Sequence, residues 1–309
     1  MTERPEVGER EAVERDADER ATGNPATERR GVVAFDNTGT LSDPVVEWAA
    51  VSDDAMAETP VPEMPTDRPT ALASVALDDY DVFDADESLG AVVAAADLPV
   101  TLALSNVETT AEAVREAVVA DDEVPARAVI QQVEALIERA SAEFSRDDPP
   151  VGVQLAVDLD TGRIHRVFAY TTVPRAVAAE VVGRTRELGY EPHVVSGDAT
   201  HILRRVAEEV GVPAANVHAY QSATDKADTL SALRTDGASA VMVGDYVNDR
   251  FALELADLGI LVREGDPDDG PADRADGPAD PDDGLADRAD ATVAGIEDVP
   301  AILNPDGDR

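Results

Sequence analysis

Short unbroken apolar runs alternate with amphipathic stretches through most of the second half of this chain. Val32-Val33-Ala34-Phe35, His193-Val194-Val195, the segment Ala238–Gly244 around Val241-Met242-Val243, and Gly259–Val262 are each too short for a buried helix. Runs of this kind, bounded by turn residues, read as strands buried on both faces, as in a parallel sheet. Between them, Pro174–Leu188, Ala199–Val210, Lys226–Arg234 and Asp249–Ala256 carry helical spacing. Pro174 suits a first helical turn and Gly189 the position just past a last one. Asp198 is placed to cap the second helix, and Gly211 to stop it. Val217–Ala219 reads as a short strand, Ala291–Val293 as an edge strand, and Ile296–Leu303 as a closing short helix. Strands alternating with helices imply right-handed crossovers, so the predicted class is α/β, a parallel sheet sandwiched by helices.

That pattern is interrupted once. It stops after Leu41 and resumes at about Thr172, so residues 42–171 are predicted to be an insertion. Pro60, Pro62, Pro65 and Pro69 mark an irregular entry loop. Pro99–Leu104 reads as a strand, and Val107–Val119 as a helix with Asn106 at its N-cap. Ala128–Phe144 has apolar residues at Val129, Val133, Leu136, Ile137 and Ala140, which gives an amphipathic helix. Val151–Val157 and Ile164–Tyr170 flank Asp160-Thr161-Gly162, a hairpin signal. The insertion is therefore a small α+β module, and the core comes in two pieces, 31–41 and 172–309. Residues 1–30, with little apolar to bury, read as a disordered acidic tail with transient helix around Arg10–Arg20. Residues 264–290 repeat Asp-Gly-Pro-Ala-Asp and Leu-Ala-Asp-Arg-Ala-Asp and read as a disordered acidic loop. They lack the strict glycine periods of a calcium-binding repeat.

The candidate chemistry sits at the ends of the predicted strands. The first delivers Asp36 to the rim of the sheet, where open α/β folds keep their ligands, and Gly39 lets the backbone turn sharply after it. Taken alone, Asp36-Asn37-Thr38-Gly39-Thr40 is equally an ordinary turn, since these residue types favour turns for local reasons. Three further stretches follow in order: Ser196-Gly197-Asp198 before a helix, Thr224-Asp225-Lys226 opening one, and Gly244-Asp245-Tyr246-Val247-Asn248-Asp249 closing a strand. With these four, the chain resembles the haloacid dehalogenase superfamily of phosphohydrolases and phosphotransferases. It is most similar to the phosphorylation domain of P-type ATPases. The pattern there is Asp-Lys-Thr-Gly-Thr, then (Thr/Ser)-Gly-Asp, a lysine, and Gly-Asp-Gly-x-Asn-Asp. The resemblance covers roughly residues 31–41 and 172–263.

It implies a Rossmann-like core carrying a cap domain at 42–171. It also implies that Asp36 is a nucleophile forming an aspartyl phosphate. Mg²⁺ would be held by the Asp36 carboxylate, the Thr38 backbone carbonyl and Asp245, hard oxygen donors that suit a hard cation. Asn248 and Asp249 would act from behind, orienting waters or Lys226. The phosphoryl group would be held by Lys226, Thr40, Ser196 and Gly197, the last two at a helix start whose amides point at anions. Typical phosphatases of the superfamily place an Asp two residues after the nucleophile. Here that residue is Thr38, as in P-type ATPases, and threonine cannot shuttle a proton that way, so breakdown of the phosphoenzyme should be slow. Tyr246 stands where the ATPases have glycine, and the chain has no Thr-Gly-Glu segment. The insertion has no Lys-Gly-Ala nucleotide segment and no phosphate-cradling glycine motif. The implied activity is a Mg²⁺-dependent phosphohydrolase acting on a small phosphorylated metabolite or nucleotide. Two alternatives stay open: a soluble ATPase-like phosphotransferase, and a regulatory protein using phospho-Asp36 as a switch.

Composition narrows the setting. A formal net charge of −40 and a pI near 4.1 would repel nucleic acid and anionic membrane surfaces, which excludes both as general partners. The acidic balance resembles that of proteins from salt-in halophiles. Lys226 is the only lysine, so a composition that avoids this residue still places one in a motif position. Cysteine is absent, which fits a reducing cytosol. The four histidines show no metal-ligand spacing. No apolar run is long enough to span a membrane and the N-terminus has no signal-peptide core, so a cytoplasmic protein is expected. Self-repulsion of so much negative charge weakens as the Debye length falls to about 3 Å at about 1 M salt. Thermal melts from about 0.1 to about 3 M KCl are therefore expected to show a steadily rising midpoint. A flat midpoint would contradict the halophilic reading.

Overall fold

In the computed structural model the described residues are 30–50, 69–77, 80–102, 109–142, 149–234, 238–263 and 284–304. The first part runs β1 (Gly31–Phe35), β2 (Ser42–Ala50), β3 (Thr70–Val75), α1 (Leu89–Ala95), β4 (Val100–Leu102), α2 (Ala111–Ala120) and α3 (Ala126–Ala140). It continues through β5 (Gly152–Asp158), β6 (Arg163–Pro174), α4 (Ala178–Glu187), β7 (Tyr190–Val195), α5 (Thr200–Val210), β8 (Val217–His218) and α6 (Ala223–Leu233). The end comprises β9 (Ser239–Gly244), α7 (Arg250–Leu255), β10 (Leu258–Val262), β11 (Ala291–Val293) and α8 (Val299–Leu303).

Every residue of β1 is buried, because the strand lies inside a six-stranded parallel sheet of order β11-β10-β9-β1-β7-β8. Its side chains alternate between the two faces, as strand geometry requires. Val33 and Phe35 pack in one cluster with Val181 and Val182 of α4, Leu203 and Val206 of α5, and Val299 of α8. Val32 and Ala34 pack in another with Leu230 of α6 and Leu253 of α7. This is the α/β sandwich the apolar runs predict. It brings the carboxyl ends of β1, β7 and β9 to one rim, side by side.

The residues between β1 and α4 build a second, antiparallel sheet of order β2-β6-β5-β3-β4. Helices α1 to α3 cover one face, with Val93, Val114, Val118, Val133 and Leu136 set against Val153, Leu155, Val157 and Val167. On the other side Tyr170 of β6 packs with Ala199 and Ile202 at the start of α5, and a ring nitrogen of His201 lies 2.6 Å from the Val151 carbonyl oxygen. The cap is thus α+β and rests on the parallel-sheet core beside α5.

Several elements differ from the sequence expectation. β2, β3 and α1 were not anticipated. β2 opens Ser-Asp-Pro, and its proline is tolerated because the strand lies at the sheet edge. β3 and α1 are alanine-rich, which gives little periodic signal. Pro174 does not open a helix: it closes β6, paired with Ser42, and α4 starts at Ala178. α2 starts at Ala111 with Thr110 as its cap, while Asn106 lies outside the described residues. Residues 1–29 of the expected 1–30 tail, the entry prolines 60, 62 and 65, and 264–283 also lie outside them. Residues 284–290, assigned from sequence to the acidic loop, are anchored to the core through Leu285 and Asp290, although most of the segment is exposed. Leu285 is 1% exposed among Val32, Met242 and Leu253, and Asp290 bonds the Gly259 amide at 2.8 Å. Leu285→Ala should therefore lower stability by about 2–5 kcal/mol, read by denaturant titration. A change below about 0.5 kcal/mol would mean the segment is a loose surface loop.

Candidate active site

Asp36 emerges at the end of β1, its amide bonded to the Val243 carbonyl of β9 at 2.9 Å. The chain then doubles back, with the amides of Thr40 and Ser42 both bonded to the Asn37 carbonyl at 3.2 and 2.9 Å. Gly39 takes φ 85°, and a Cβ there would stand 1.9 Å from Asp245 Oδ2. Only glycine lets this turn lie flat against the acidic residue following β9. Asp249 ends a single turn of 3₁₀ helix, Val247–Asp249, and its Oδ2 accepts from the amides of Asp245 and Tyr246 at 3.1 and 3.2 Å. Gly244 leaves room for that carboxylate, since a Cβ there would lie 2.4 Å from Asp249 Oδ2. Lys226 comes from α6, whose start is fixed by a reciprocal cap between Ser222 and Asp225.

These elements converge on one buried cluster. Lys226 is fully buried, with Nζ 2.6 Å from Asp249 Oδ1 and 2.9 Å from Asp36 Oδ1. Carboxylate oxygens of Asp36, Asp245 and Asp249 all lie within 4.8 Å of one another. Burial, joined by the Asp36 charge, pushes Asp249 up to about 6 despite the opposing pull of Lys226. Burial also raises Asp245 well above the usual carboxylate range, with Asp36 and Asp249 adding to it, while a 2.9 Å bond from the Thr40 hydroxyl opposes. For Lys226, burial favours the neutral amine, but the Asp249 and Asp36 charges outweigh it and the net direction is up. One cation faces three carboxylates, an arrangement that is self-repelling until further positive charge arrives.

Beside it lies a second polar cluster centred on Asp198. Oδ2 of this residue accepts from Asn37 Nδ2 at 2.7 Å, Thr38 Oγ1 at 3.0 Å and Ser196 Oγ at 3.0 Å. Asp198 therefore does not cap α5 as expected from the sequence: the cap position is Ala199, with no side-chain bond. Burial shifts Asp198 upward, and the Asn37, Ser196 and Thr38 donors oppose the shift. Gly197 sits in the buried bend between β7 and α5. Asn248 is buried, and its Oδ1 has no hydrogen-bond partner among the described residues. The structure thus brings Asp36, Thr38, Thr40, Ser196, Lys226, Asp245 and Asp249 into two adjoining clusters. Sequence reasoning passed over Asn37 and Asp198 as site residues. Their available signal was membership of the motifs themselves, Asn37 standing where the ATPase pattern has lysine.

Parts of the chain are similar to known proteins. The copper-transporting ATPase RAN1 of Arabidopsis thaliana is 36% identical over 104 residues, 34% of this chain and 10% of that protein. The copper-exporting P-type ATPase of Vibrio cholerae is 33% identical over 104 residues, 34% of this chain and 11% of that protein. The chain matches only about a tenth of the length of these relatives. Among solved structures, the catalytic domain of the CPx-ATPase CopB-B aligns over 90% of this chain and 89% of that one, at 17% identity and a TM-score of 0.43. Among the described residues no helix is long and apolar enough to cross a membrane. A sequence model of a haloacid dehalogenase-like hydrolase matches residues 31–257, a span that holds β1, β7, β8 and β9 of the parallel sheet, the inserted cap and all four motifs, and by that match this chain belongs to the haloacid dehalogenase-like hydrolases.

Proposed function

We propose that this chain is a Mg²⁺-dependent phosphohydrolase that forms an aspartyl phosphate on Asp36 from a small phosphorylated substrate. The observation that carries this reading is the buried Lys226 ammonium, held between Asp36 and Asp249. A residue so costly to bury serves a purpose beyond packing. The residues present fit Mg²⁺. They offer hard oxygen donors, an excess of carboxylates over cations, and a buried Asn248 oxygen without a partner. Asp36, Asp245 and the Thr38 carbonyl would hold the ion. When bound, it supplies charge neutralisation for the attacking carboxylate and the phosphoryl oxygens.

Asp36 then attacks phosphorus, forming the carboxyl O–P bond as the ester or anhydride O–P bond breaks and the leaving oxygen departs with the electron pair. Lys226 orients the nucleophile and meets the charge on the phosphoryl oxygens, and the Ser196 hydroxyl, which donates to Asp198 here, would turn from it to donate to them. The second half, attack of water on phospho-Asp36, lacks an obvious base, because Thr38 fills the acid–base position and its hydroxyl is committed to Asp198. That observation favours a long-lived phosphoenzyme and supports the second reading, a phospho-Asp36 switch. An ATPase-like phosphotransferase remains the counterpart suggested by the relatives' names. The acidic composition makes molar KCl the condition for the tests.

Two outcomes are expected. Labelled acetyl phosphate with Mg²⁺ should leave acid-stable, hydroxylamine-labile label on the wild type and none on Asp36→Asn. Label of equal amount on both would rule out Asp36 as the acceptor. The second outcome concerns Asp245 and Asp249, whose values are raised on folding. A raised carboxylate adds stability below its unfolded value, about 4, and that contribution is lost as pH climbs through the folded value. For Asp249 the folded value is about 6. Asp245→Asn should therefore melt higher than wild type in molar KCl free of divalent cations at about pH 7.5, with the difference vanishing towards about pH 4. It should also lose most of the stabilisation Mg²⁺ gives the wild type. A variant that melts lower at neutral pH and still responds fully to Mg²⁺ would contradict the charge-cluster account.

A further inference from the structure

The chain passes between the two sheets twice, at Leu41–Ser42 going out and at Val173–Arg175 coming back. The crossings are tied to each other: Ser42 pairs with Pro174, the Arg175 amide bonds the Leu41 carbonyl at 2.9 Å, and Arg175 pairs with Asp43 at 3.0 Å. The fully buried Asn37 side chain reaches both of them. Its Oδ1 accepts from the Ser42 hydroxyl on the outgoing crossing, and its Nδ2 donates to Thr172 Oγ1, at 3.1 Å, on the incoming strand. The second proton of Nδ2 goes to Asp198 Oδ2 at 2.7 Å, the same oxygen that holds Thr38 and Ser196. The amide orientation follows from chemistry, since a flipped amide would set its oxygen against the Asp198 carboxylate. A lysine here could reach Asp198 but could not accept the Ser42 proton.

We propose that Asn37 is a positioning residue that couples the cap's two crossings to the loop carrying the nucleophile and to the donors gathered on Asp198. A rotation of the antiparallel sheet must move Ser42 or Thr172. Either displacement pulls on Asn37, and through it on the neighbouring Asp36 and on Thr38 and Ser196. The consequence for catalysis rests on the phosphoryl-transfer reading above; the mechanical coupling does not.

The test combines amide hydrogen exchange with the rate of phosphoenzyme formation from acetyl phosphate and Mg²⁺ in molar KCl. Thr172→Val removes one arm of the clasp and touches no reacting atom. It is expected to raise exchange both at 172–175 and at 196–198, and to slow phosphoenzyme formation about three- to tenfold, the range one neutral hydrogen bond is worth. Asn37→Ala should raise exchange at both places, and adding Thr172→Val to it should change nothing further. Asn37→Lys keeps a partner for Asp198 and is expected to loosen the crossings while leaving 196–198 protected, which guards against a variant that simply unfolds. Exchange changes confined to 172–175 in Thr172→Val, or fully additive effects in the double variant, would overturn the coupling. If the wild type itself forms no phosphoenzyme, the phosphoryl-transfer reading fails, while the exchange pattern still decides whether Asn37 couples the two sides.

Discussion

A single ammonium group, Lys226 Nζ, holds the candidate site together. It is buried without solvent and bridges Asp36 and Asp249, which arrive from different strands of the parallel sheet. Removing one member of a buried ion pair leaves an uncompensated charge and typically costs about 3–5 kcal/mol. The bridge therefore fixes the carboxyl end of β1 against the turn after β9, and the capped start of α6 is what sets the lysine in place. Gly39 and Gly244 serve the same arrangement from the backbone side, each leaving a space that a Cβ would take from a carboxylate. The balance is deliberately incomplete, because one positive charge answers three negative ones. A bound cation would have to meet this excess negative charge before an anionic phosphoryl group could approach, since the demands of phosphoryl transfer are positioning and neutralisation.

Much of this was legible in the sequence. The strands of the parallel sheet are short valine-rich runs buried on both faces, so composition alone marks them, and the residues at their ends mark the rim. Lys226 stands out in a chain that otherwise uses arginine for every basic side chain. What the sequence hid is long-range. Asn37 meets Thr172 and Asp198 across 135 and 161 positions, and neither partner announces itself locally. Asp198 reads as a helix cap by position, yet its carboxylate is worth more to three donors from the neighbouring loops. In the antiparallel cap, the hairpin of β5 and β6, the strand β4 and the amphipathic helices α2 and α3 were legible, while β2, β3 and α1 were not. Its edge strand β2 carries a proline, and Leu285 is one apolar residue in an Asp-, Ala- and Pro-rich stretch; neither forms a pattern.

The two polar clusters divide the chemistry between them. On the proposed reading, the Lys226 cluster would set Asp36 as nucleophile and supply charge that favours its attack. The Asp198 cluster holds two hydroxyls, from Thr38 and Ser196, beside the same strand end, and ties them through Asn37 to the cap. On the same reading, threonine in the acid–base position would separate the two halves of the reaction, making transfer onto Asp36 easier than release from it. Whether the cap alters that balance is a question of how tightly Asn37 transmits its position.

The central claim is that Asp36, backed by Lys226 and a divalent cation, accepts a phosphoryl group. Fluorine NMR of the protein with beryllium fluoride tests it most directly, because trifluoroberyllate adds to a carboxylate in the tetrahedral geometry of a bound phosphoryl group. The account predicts protein-bound fluorine resonances in molar KCl that require Mg²⁺ and are absent from Asp36→Asn. Bound resonances that persist without Mg²⁺, or in the Asp36→Asn protein, would contradict it.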